Sequence, residues 1–155
     1  MVGPTGCGKT EVLIQTAEIL RMKKRNLSYV AQTPYIYNDT LKNNIFLGRE
    51  SNEENINRAK ELLKIFGLDV LDSNLNRLLE IEVGEHGKKL SGGQAKRLCL
   101  VRSILSGANY LLWDDPFSSV DLILEREILD KLLELEVLKN KTIVITSHRI
   151  STVKK

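Results

Sequence analysis

An eight-residue segment near the start of the chain, Gly3 to Thr10, carries the residue types that a phosphate-binding loop requires. It reads Gly-Pro-Thr-Gly-Cys-Gly-Lys-Thr and fits the pattern G-x-x-x-x-G-K-[ST]. Glycines let backbone N–H groups close around a triphosphate, and the helix that follows directs its positive end toward the same anion. The pattern predicts a phosphate site; the alternative is a glycine-rich turn that ends in Lys-Thr by chance.

Two side chains of this segment have defined chemical tasks in the predicted site. Lys9 can reach the β- and γ-phosphates of a nucleoside triphosphate, and the Thr10 hydroxyl is suited to ligate Mg²⁺. The residues expected to contact the nucleotide are Gly3, Pro4, Thr5, Gly6, Cys7, Gly8, Lys9 and Thr10. Mg²⁺ is therefore predicted beside the nucleotide.

Four polar residues stand at the ends of short apolar segments that are typical of strands. They are Gln32, Asp114, Asp115 and His148. In a parallel sheet the carboxyl ends of the strands meet at one edge, so these side chains are expected to lie close together. An acid at that edge completes the Mg²⁺ shell in phosphate-loop proteins. A surface glutamine and a structural histidine are the alternatives for Gln32 and His148.

The elements that position these residues are predicted from the spacing of apolar side chains. A helix is expected from Thr10 to about Met22, directly behind the phosphate loop. Strands are expected at Leu27–Ala31, Tyr110–Trp113 and Thr142–Thr146. Residues 35–107 have helical periodicity and no convincing strand. This order predicts an α/β fold with a parallel sheet flanked by helices and a helical block inserted between strands.

Capping patterns predict further helix boundaries. Ser51 followed by Glu54 predicts a capping box that opens a helix ending at Gly67. An amphipathic helix, expected to be structural, follows Asp121. Its predicted apolar face includes Leu122, Leu129, Leu132 and Leu133, and its predicted polar face includes Glu125, Arg126, Asp130 and Glu134.

A second segment suited to an anion runs from Leu90 to Gln94, ahead of a helix expected from about Ala95 to Ser106. Its sequence is Leu-Ser-Gly-Gly-Gln. A serine and two glycines before a helix leave backbone N–H groups available to a phosphate. A simple nucleotide fold has one such site, so a second one is unexpected.

Composition narrows the class of protein only slightly. The 155 residues are 42% hydrophobic and 28% charged, as in one globular domain that buries a core. The net charge of +3 is too small to indicate nucleic-acid binding. The sequence has no apolar run of the ~18 residues that span a bilayer and no signal peptide, so the segment is expected to be soluble on its own. Cys7 and Cys99 lack metal-ligand spacing, which favours a reduced setting.

Together these motifs resemble the nucleotide-binding domain of an ATP-binding-cassette (ABC) transporter over nearly the whole chain. The matching segments are residues 3–10 for Walker A, Gln32 for the Q-loop, residues 90–94 for the family signature LSGGQ, residues 110–114 for Walker B, residues 118–121 for the D-loop and His148 for the switch histidine. A signature between a phosphate loop and a Walker B strand is highly specific to this family.

The resemblance implies an ATPase that works in pairs. Two such domains close head to tail, and each signature caps the ATP held by the partner's Walker A motif. For this chain the residues implied to contact the partner's ATP are Ser91, Gly92, Gly93 and Gln94. The implied Mg²⁺ ligands are Thr10, Gln32 and Asp114, and the implied catalytic residues are Asp115, His148 and Gln32.

The resemblance also implies a membrane partner. Gln32 and a helical subdomain of about residues 35–107 would relay closure to a transmembrane domain, while residues 1–34 and 108–155 would form the ATPase core. In exporters the stretch matching Val83–Gly87, which contains Glu85, touches the transmembrane coupling helices, and importers usually lack it. The implied location is the cytoplasmic face of a membrane.

A subclass follows from three shorter stretches. Residues 35–40, 113–121 and 138–142 are similar to the first nucleotide-binding domain of the multidrug-resistance-associated class. The chain would then be part of an ATP-driven exporter.

The chain departs from the family pattern at three places. Lys9 and Gln32 are only 23 positions apart, so the antiparallel strands usual there are expected to be reduced or missing. The aromatic residue that stacks on adenine would precede Met1, and the strand before the phosphate loop would too. With Lys154 and Lys155 following no closing element, the chain is expected to be a fragment, marginally folded alone. Asp115 stands where hydrolytically competent members have glutamate.

Three functions are compatible with these motifs. The first is an ATPase subunit that powers export. The second is a regulatory module that holds ATP at a slow site and lends its intact signature to a competent partner. The third is a soluble DNA-repair or translation ATPase of the same superfamily, which Glu85 in its exporter-like setting and the helical block disfavour.

Overall fold

The computed structural model describes residues 1–149, and the prediction for Lys154 and Lys155 lies outside them. Three parallel strands form one sheet in the order β1-β2-β3, with bounds Leu27–Val30, Tyr110–Asp114 and Thr142–Thr146. The helices are α1 (Lys9–Met22), α2 (Leu41–Phe46), α3 (Glu53–Ile65), α4 (Leu75–Leu79), α5 (Gly92–Ile104) and α6 (Leu122–Glu134). Short 3-10 turns cover Glu85–Gly87 and Glu136–Leu138. The predicted α/β architecture is confirmed.

Both faces of the sheet are covered, because successive side chains of β2 point to opposite faces. Leu111 and Trp113 point into the larger core cluster, which also contains Phe66. Leu112 points the other way and packs with Leu13 and Ala17 of α1. A strand buried on both faces reads as a continuous apolar run, as β2 does.

The phosphate loop continues the sheet beyond β3. Val2 forms a parallel bridge with Ser147, and the Gly3 N–H donates to the Ser147 carbonyl at 3.3 Å. The three strands and this bridge therefore bring their carboxyl ends to one edge, as expected for a parallel sheet.

Residues 35–107, all of them described, contain helices and turns but no strand longer than a single bridge between Thr40 and Glu82. This agrees with the predicted helical block. Between α1 and that block there is one strand, β1, so the short spacing from Lys9 to Gln32 holds no additional strand among the described residues.

The capping box predicted at Ser51 is wrong by one residue. Asn52 caps α3, and its side-chain oxygen accepts from the Asn55 N–H at 2.9 Å. Gly67 does follow the end of this helix, with a φ of 60° that a side chain would strain. Helix α5 also starts earlier than predicted, at Gly92 instead of Ala95, because Ser91 caps it.

The predicted faces of α6 need three corrections. Glu125, expected on the polar face, is buried at 2% exposure. Leu122 and Leu133, expected on the apolar face, are 59% and 76% exposed. The actual buried positions are Glu125, Ile128 and Leu132, and Leu129 is half-buried against the core.

Candidate nucleotide site

The phosphate loop passes directly into α1, and its conformation requires glycine. Gly6 and Gly8 have φ values of 84° and 86°, in the left-handed region that other residues avoid. A side chain at Gly3 would bring a Cβ within 2.9 Å of the Cys7 sulfur. The loop therefore keeps its backbone N–H groups uncovered in front of the helix N-terminus, the arrangement that binds phosphate.

Lys9 is the first residue of α1, and its ammonium group is folded back over the loop. Its Nζ donates to the carbonyl oxygens of Gly3 and Pro4, both at 2.7 Å, and lies 3.6 Å from the Cys7 sulfur. Since main-chain carbonyls are weaker partners for an ammonium than phosphate oxygens, a triphosphate in the loop would compete for this group.

A cleft of about 340 Å³ lies between this loop and the carboxyl ends of the strands. Most of the predicted site residues line it: Thr5, Gly6, Gly8, Lys9, Thr10, Gln32, Asp114, Asp115 and His148. The sheet edge thus gathers residues from four separate parts of the sequence. Glu11 also lines the cleft, although no sequence motif singled it out.

The Asp114 carboxylate is suited to a divalent cation. Its Oδ1 accepts from the Thr146 hydroxyl at 2.6 Å, whereas its buried Oδ2 has no hydrogen-bond partner within residues 1–149. An uncompensated buried carboxylate oxygen is costly unless a cation or donor meets it. Mg²⁺ is commonly held by one or two carboxylates together with phosphate oxygens. The donor set of this cleft therefore fits a triphosphate with Mg²⁺.

Tyr29 on β1 is a neighbour of this carboxylate. Burial raises the pKa of the Tyr29 hydroxyl, and the nearby Asp114 carboxylate raises it further. The hydroxyl therefore stays protonated at physiological pH and adds no negative charge beside the proposed cation.

Asp115 and His148 are paired. The His148 Nδ1 lies 3.2 Å from Oδ1 and 3.1 Å from Oδ2 of Asp115. Asp115 has a φ of 45°, and its N–H donates to the Thr146 hydroxyl at 2.9 Å. Thr146 therefore orients both acids of the cleft. The sequence did not reveal this role, because an inward-facing strand threonine carries no distinctive signal.

The signature segment lies apart from this cleft. Residues 91–94 are not among those lining it. Ser91 and Gln94 form a capping box, in which the Ser91 hydroxyl accepts from the Gln94 N–H at 3.2 Å and the Gln94 side chain accepts from the Ser91 N–H at 2.7 Å. Gly93 packs against the main chain of Ser119, where a Cβ would lie 2.7 Å from the carbonyl oxygen. The signature thus adjoins the predicted D-loop.

A partly buried ion pair joins the residue after His148 to α6. The Arg149 guanidinium donates to Glu125 Oε2 at 2.9 Å, to the Val120 carbonyl at 2.8 Å and to the Ser118 carbonyl at 3.3 Å. Removing the guanidinium takes a charge-assisted hydrogen bond away from the buried Glu125 carboxylate.

We expect Arg149→Met to lower the free energy of unfolding by about 3 kcal/mol, near the lower end for such pairs because the Arg149 side chain is 25% exposed. Urea unfolding of the two proteins measures the difference. The matched control is Arg126→Met on the exposed side of α6, expected to change stability by less than about 0.5 kcal/mol. Equal effects of the two substitutions would contradict the prediction.

The two cysteines differ in accessibility, which provides an internal comparison. Cys7 is exposed in the phosphate loop, and Cys99 is buried on α5, where burial raises the pKa of its thiol. Iodoacetamide should therefore alkylate Cys7 much faster than Cys99, and Mg·ATP should slow the Cys7 reaction at least about fivefold. Mass-spectrometric labelling rates measure both. If the alkylation rate of Cys7 is the same with and without Mg·ATP, the loop merely tolerates a small residue at this position.

A phosphate loop, a parallel sheet and an acid at the carboxyl end of one of its strands define a phosphate-loop nucleotide-binding fold. Comparison with known proteins gives the family: residues 1–118 match the family described as ABC transporter. The chain belongs to the ABC transporter family. Members of this family use ATP with Mg²⁺.

Three similar proteins illustrate its place in the family. Mus musculus ATP-binding cassette sub-family C member 3 is 36% identical over 159 residues, covering 97% of this chain and 10% of that protein. The Bacillus subtilis (strain 168) glutathione/L-cysteine transport system ATP-binding/permease protein CydC is 39% identical over 128 residues, covering 82% and 22%. The solved structure of a bacterial Atm1-family ABC exporter with ATP bound has a TM-score of 0.77 at 26% identity, covering 98% of this chain and 29% of that one.

The chain therefore spans less than a third of each of these proteins. None of the helices in the described part of the chain has the length and apolar character of a membrane span.

Proposed function

We propose that this chain is the ATP-binding and ATP-hydrolysing part of an ABC exporter, which couples ATP turnover to transport. One observation carries the proposal. Lys9 and Asp114, more than a hundred residues apart, line the same cleft, and the buried Asp114 Oδ2 accepts no hydrogen bond within residues 1–149. The similarity to exporters supports the transport part of the proposal.

Each cleft residue has a task in this function. Lys9 and the loop N–H groups bind the phosphates of ATP, and Thr10, Gln32 and Asp114 hold Mg²⁺. When bound, Mg²⁺ supplies positive charge beside the terminal phosphates. Asp115 and His148 lie at 3.1 Å from each other, where they can orient a water molecule and meet developing charge.

The site is proposed to be slow. Asp115 stands at the position where competent members carry glutamate, and its carboxylate is engaged by the His148 ring. A carboxylate one methylene short of the reacting water is a weak general base or orienting group.

A second nucleotide-binding domain is the proposed partner. Ser91 and Gly92 are exposed at the N-terminus of α5, outside the cleft of their own chain. In a head-to-tail pair this N-terminus, with Gly93 and Gln94, would cap ATP held by the opposite Walker A motif.

The transmembrane partner is proposed to meet the helical subdomain of about residues 35–107, with residues 1–34 and 108–155 as the ATPase core. An aromatic surface supports this: Tyr35 and Tyr37 are 60% and 47% exposed, with ring centroids 4.9 Å apart. The His86 ring, next to Glu85, lies 6.5 Å from Tyr35. Exposed aromatics are enriched at protein interfaces. The chain would then act on the cytoplasmic face of a membrane.

The second candidate function is a regulatory module that binds ATP, hydrolyses little of it and supplies its signature to a competent partner. Asp115 favours it, since the signature itself has no comparable substitution. In this case too the protein would bind Mg·ATP.

The test measures ATP binding and ATP turnover by the purified full-length protein in lipid. Both are measured with and without Mg²⁺, with and without the membrane-spanning partner, and with and without a second nucleotide-binding domain. Phosphate release that requires Mg²⁺ and a membrane-spanning partner supports the exporter. Tight Mg·ATP binding with turnover only beside a second, competent domain supports the regulatory module. Failure to bind ATP at all would refute both.

A further inference from the structure

A lysine on α5 is almost completely enclosed by protein. Lys96 is 2% exposed, on a helix whose other buried positions are mostly apolar. Its ammonium group donates to the carbonyl oxygens of Ala31 at 2.5 Å, Gln32 at 2.8 Å and Asp114 at 2.8 Å. An ammonium has three N–H donors, so each of them has an acceptor.

The three acceptors belong to the carboxyl ends of two adjacent strands. Ala31 and Gln32 follow β1 directly, and Asp114 is the last residue of β2. These strands are hydrogen-bonded neighbours. One ammonium group therefore bridges the main chain that bears the Gln32 side chain and the main chain that bears the Asp114 side chain.

The same lysine is close to the signature end of its helix. Helix α5 begins at Gly92, four residues before Lys96, which is about 6 Å at 1.5 Å per residue. Because one helical turn moves as a unit, a displacement of the exposed first turn carries Lys96 with it. Lys96 thus connects the signature end of α5 to the strand ends that line the chain's own cleft.

Filling space does not account for a lysine here. Burying an ammonium costs free energy that an apolar side chain of similar length, such as methionine, does not. The three carbonyls offset this cost with directional, charge-assisted hydrogen bonds. What the lysine adds over an apolar residue is a fixed geometry among three main-chain segments.

We propose that Lys96 is a positioning residue that ties the signature end of α5 to the main chain of Gln32 and Asp114, and thereby sets the Mg²⁺ affinity of this chain's ATP site. The inference rests on the proposed function. Residues that orient a metal ligand from behind typically change metal affinity 10- to 100-fold when they are removed.

The test is Lys96→Met in the full-length protein. The measurements are equilibrium binding of a fluorescent ATP analogue in EDTA and at increasing Mg²⁺. Mg²⁺ should increase the affinity for the ATP analogue, and we expect the Mg²⁺ concentration that gives half of this increase to rise about tenfold in the variant. The affinity for the analogue in EDTA should stay unchanged within about twofold. Hydrogen exchange should also speed up at the amides of residues 31–34, since their carbonyl anchors are lost.

The chain offers a matched control. Lys141 Nζ also donates to a main-chain carbonyl, that of Ala108, at 2.6 Å, and burial lowers its pKa as it lowers that of Lys96. It lies at the opposite end of the sheet, before β3. Lys141→Met should therefore leave the Mg²⁺ dependence of ATP binding and the exchange at residues 31–34 unchanged.

The outcomes separate the hypotheses. If Lys96→Met and Lys141→Met behave alike, or if Lys96→Met weakens binding equally in EDTA and Mg²⁺, the positioning role is wrong while ATP binding stands. If the wild-type protein shows no Mg²⁺-dependent ATP binding, the proposed function fails as well. Should Lys96→Met not fold, Lys96→Gln, which keeps two N–H donors, is compared with Lys141→Gln, and an equal Mg²⁺ response of those two overturns the inference.

Discussion

Replacing Lys9 with alanine should weaken the binding of Mg·ATP at least tenfold. The Lys9 ammonium is held by the carbonyls of Gly3 and Pro4 at 2.7 Å, directly at the mouth of the phosphate loop. A hydrogen bond to a charged group contributes about 1.5–3 kcal/mol, which corresponds to roughly 10- to 100-fold in affinity. Alanine keeps the helix and the loop glycines, so the loss is confined to this interaction.

Equilibrium titration with a fluorescent ATP analogue measures the effect. The control is Lys23→Ala, which removes the same charge at the far end of α1, where Lys23 is exposed as the helix C-cap. It should change affinity by less than about twofold, because exposed charges more than a Debye length from the phosphates are largely screened. Equal affinities of wild type and Lys9→Ala would exclude the phosphate loop as the nucleotide site.

Local sequence patterns were enough to predict the elements that build the cleft. Strand β3 has its predicted bounds, and β1, β2 and α1 differ from prediction by one residue at one end. Their apolar runs are flanked by breakers, so each boundary is determined within a few residues of sequence. The predicted neighbourhood of Gln32, Asp114 and His148 follows from one rule, that parallel strands end at the same edge.

The N-cap of α3 could not be predicted from the local sequence, because two adjacent residues are both suitable. Ser51 and Asn52 are both good caps, and the predicted partner of Ser51, Glu54, is present. In the structure Asn52 has the extended backbone of a cap, and its side-chain oxygen accepts from the Asn55 N–H at 2.9 Å. The residue types alone do not distinguish the two candidates, because serine and asparagine are similarly favoured as caps.

Buried charges could not be predicted because their partners are distant in sequence. Lys96 meets carbonyls 64 and 65 residues away, and Glu125 meets Arg149, 24 residues on. Periodicity assigns a charged residue to solvent unless its partner is known. Periodicity also assigned Leu122 and Leu133 to the buried face, but their exposure depends on which elements pack against α6.

The largest expected effect is a difference in the rate of ATP hydrolysis between the two composite sites of a head-to-tail pair. The side chain of Asp115 is one C–C bond, ~1.5 Å, shorter than that of glutamate, so its carboxylate lies that much closer to the main chain. A misplacement of that order can cost roughly 100-fold in rate. The site formed by Lys9 and Asp115 should therefore bind ATP and turn it over slowly. This chain's own signature residues Ser91 and Gly92 carry no comparable defect, so the site that they cap can be fully active.

The structure decides which signature glycine to change. Gly93→Asp would place a negative side chain against the partner's ATP, but its Cβ would also lie 2.7 Å from the Ser119 carbonyl oxygen of its own chain. A Cβ added at Gly92 would meet nothing within 4 Å, and the backbone there is helical, so Gly92→Asp adds the charge without that clash. Gly92→Ala, which adds the carbon without the charge, is its matched control.

We expect Gly92→Asp to abolish most steady-state ATP hydrolysis by the assembled transporter, because the added carboxylate repels the terminal phosphate at the fast site. Asp115→Asn should reduce total hydrolysis little, since it alters only the slow site, and asparagine also tolerates the φ of 45° found there. Asp115→Glu should raise turnover at that slow site. Phosphate release by the four variants is the measurement, with Gly92→Ala expected near wild type. If Asp115→Asn proves as damaging as Gly92→Asp, the two sites contribute equally and the slow-site proposal must be abandoned.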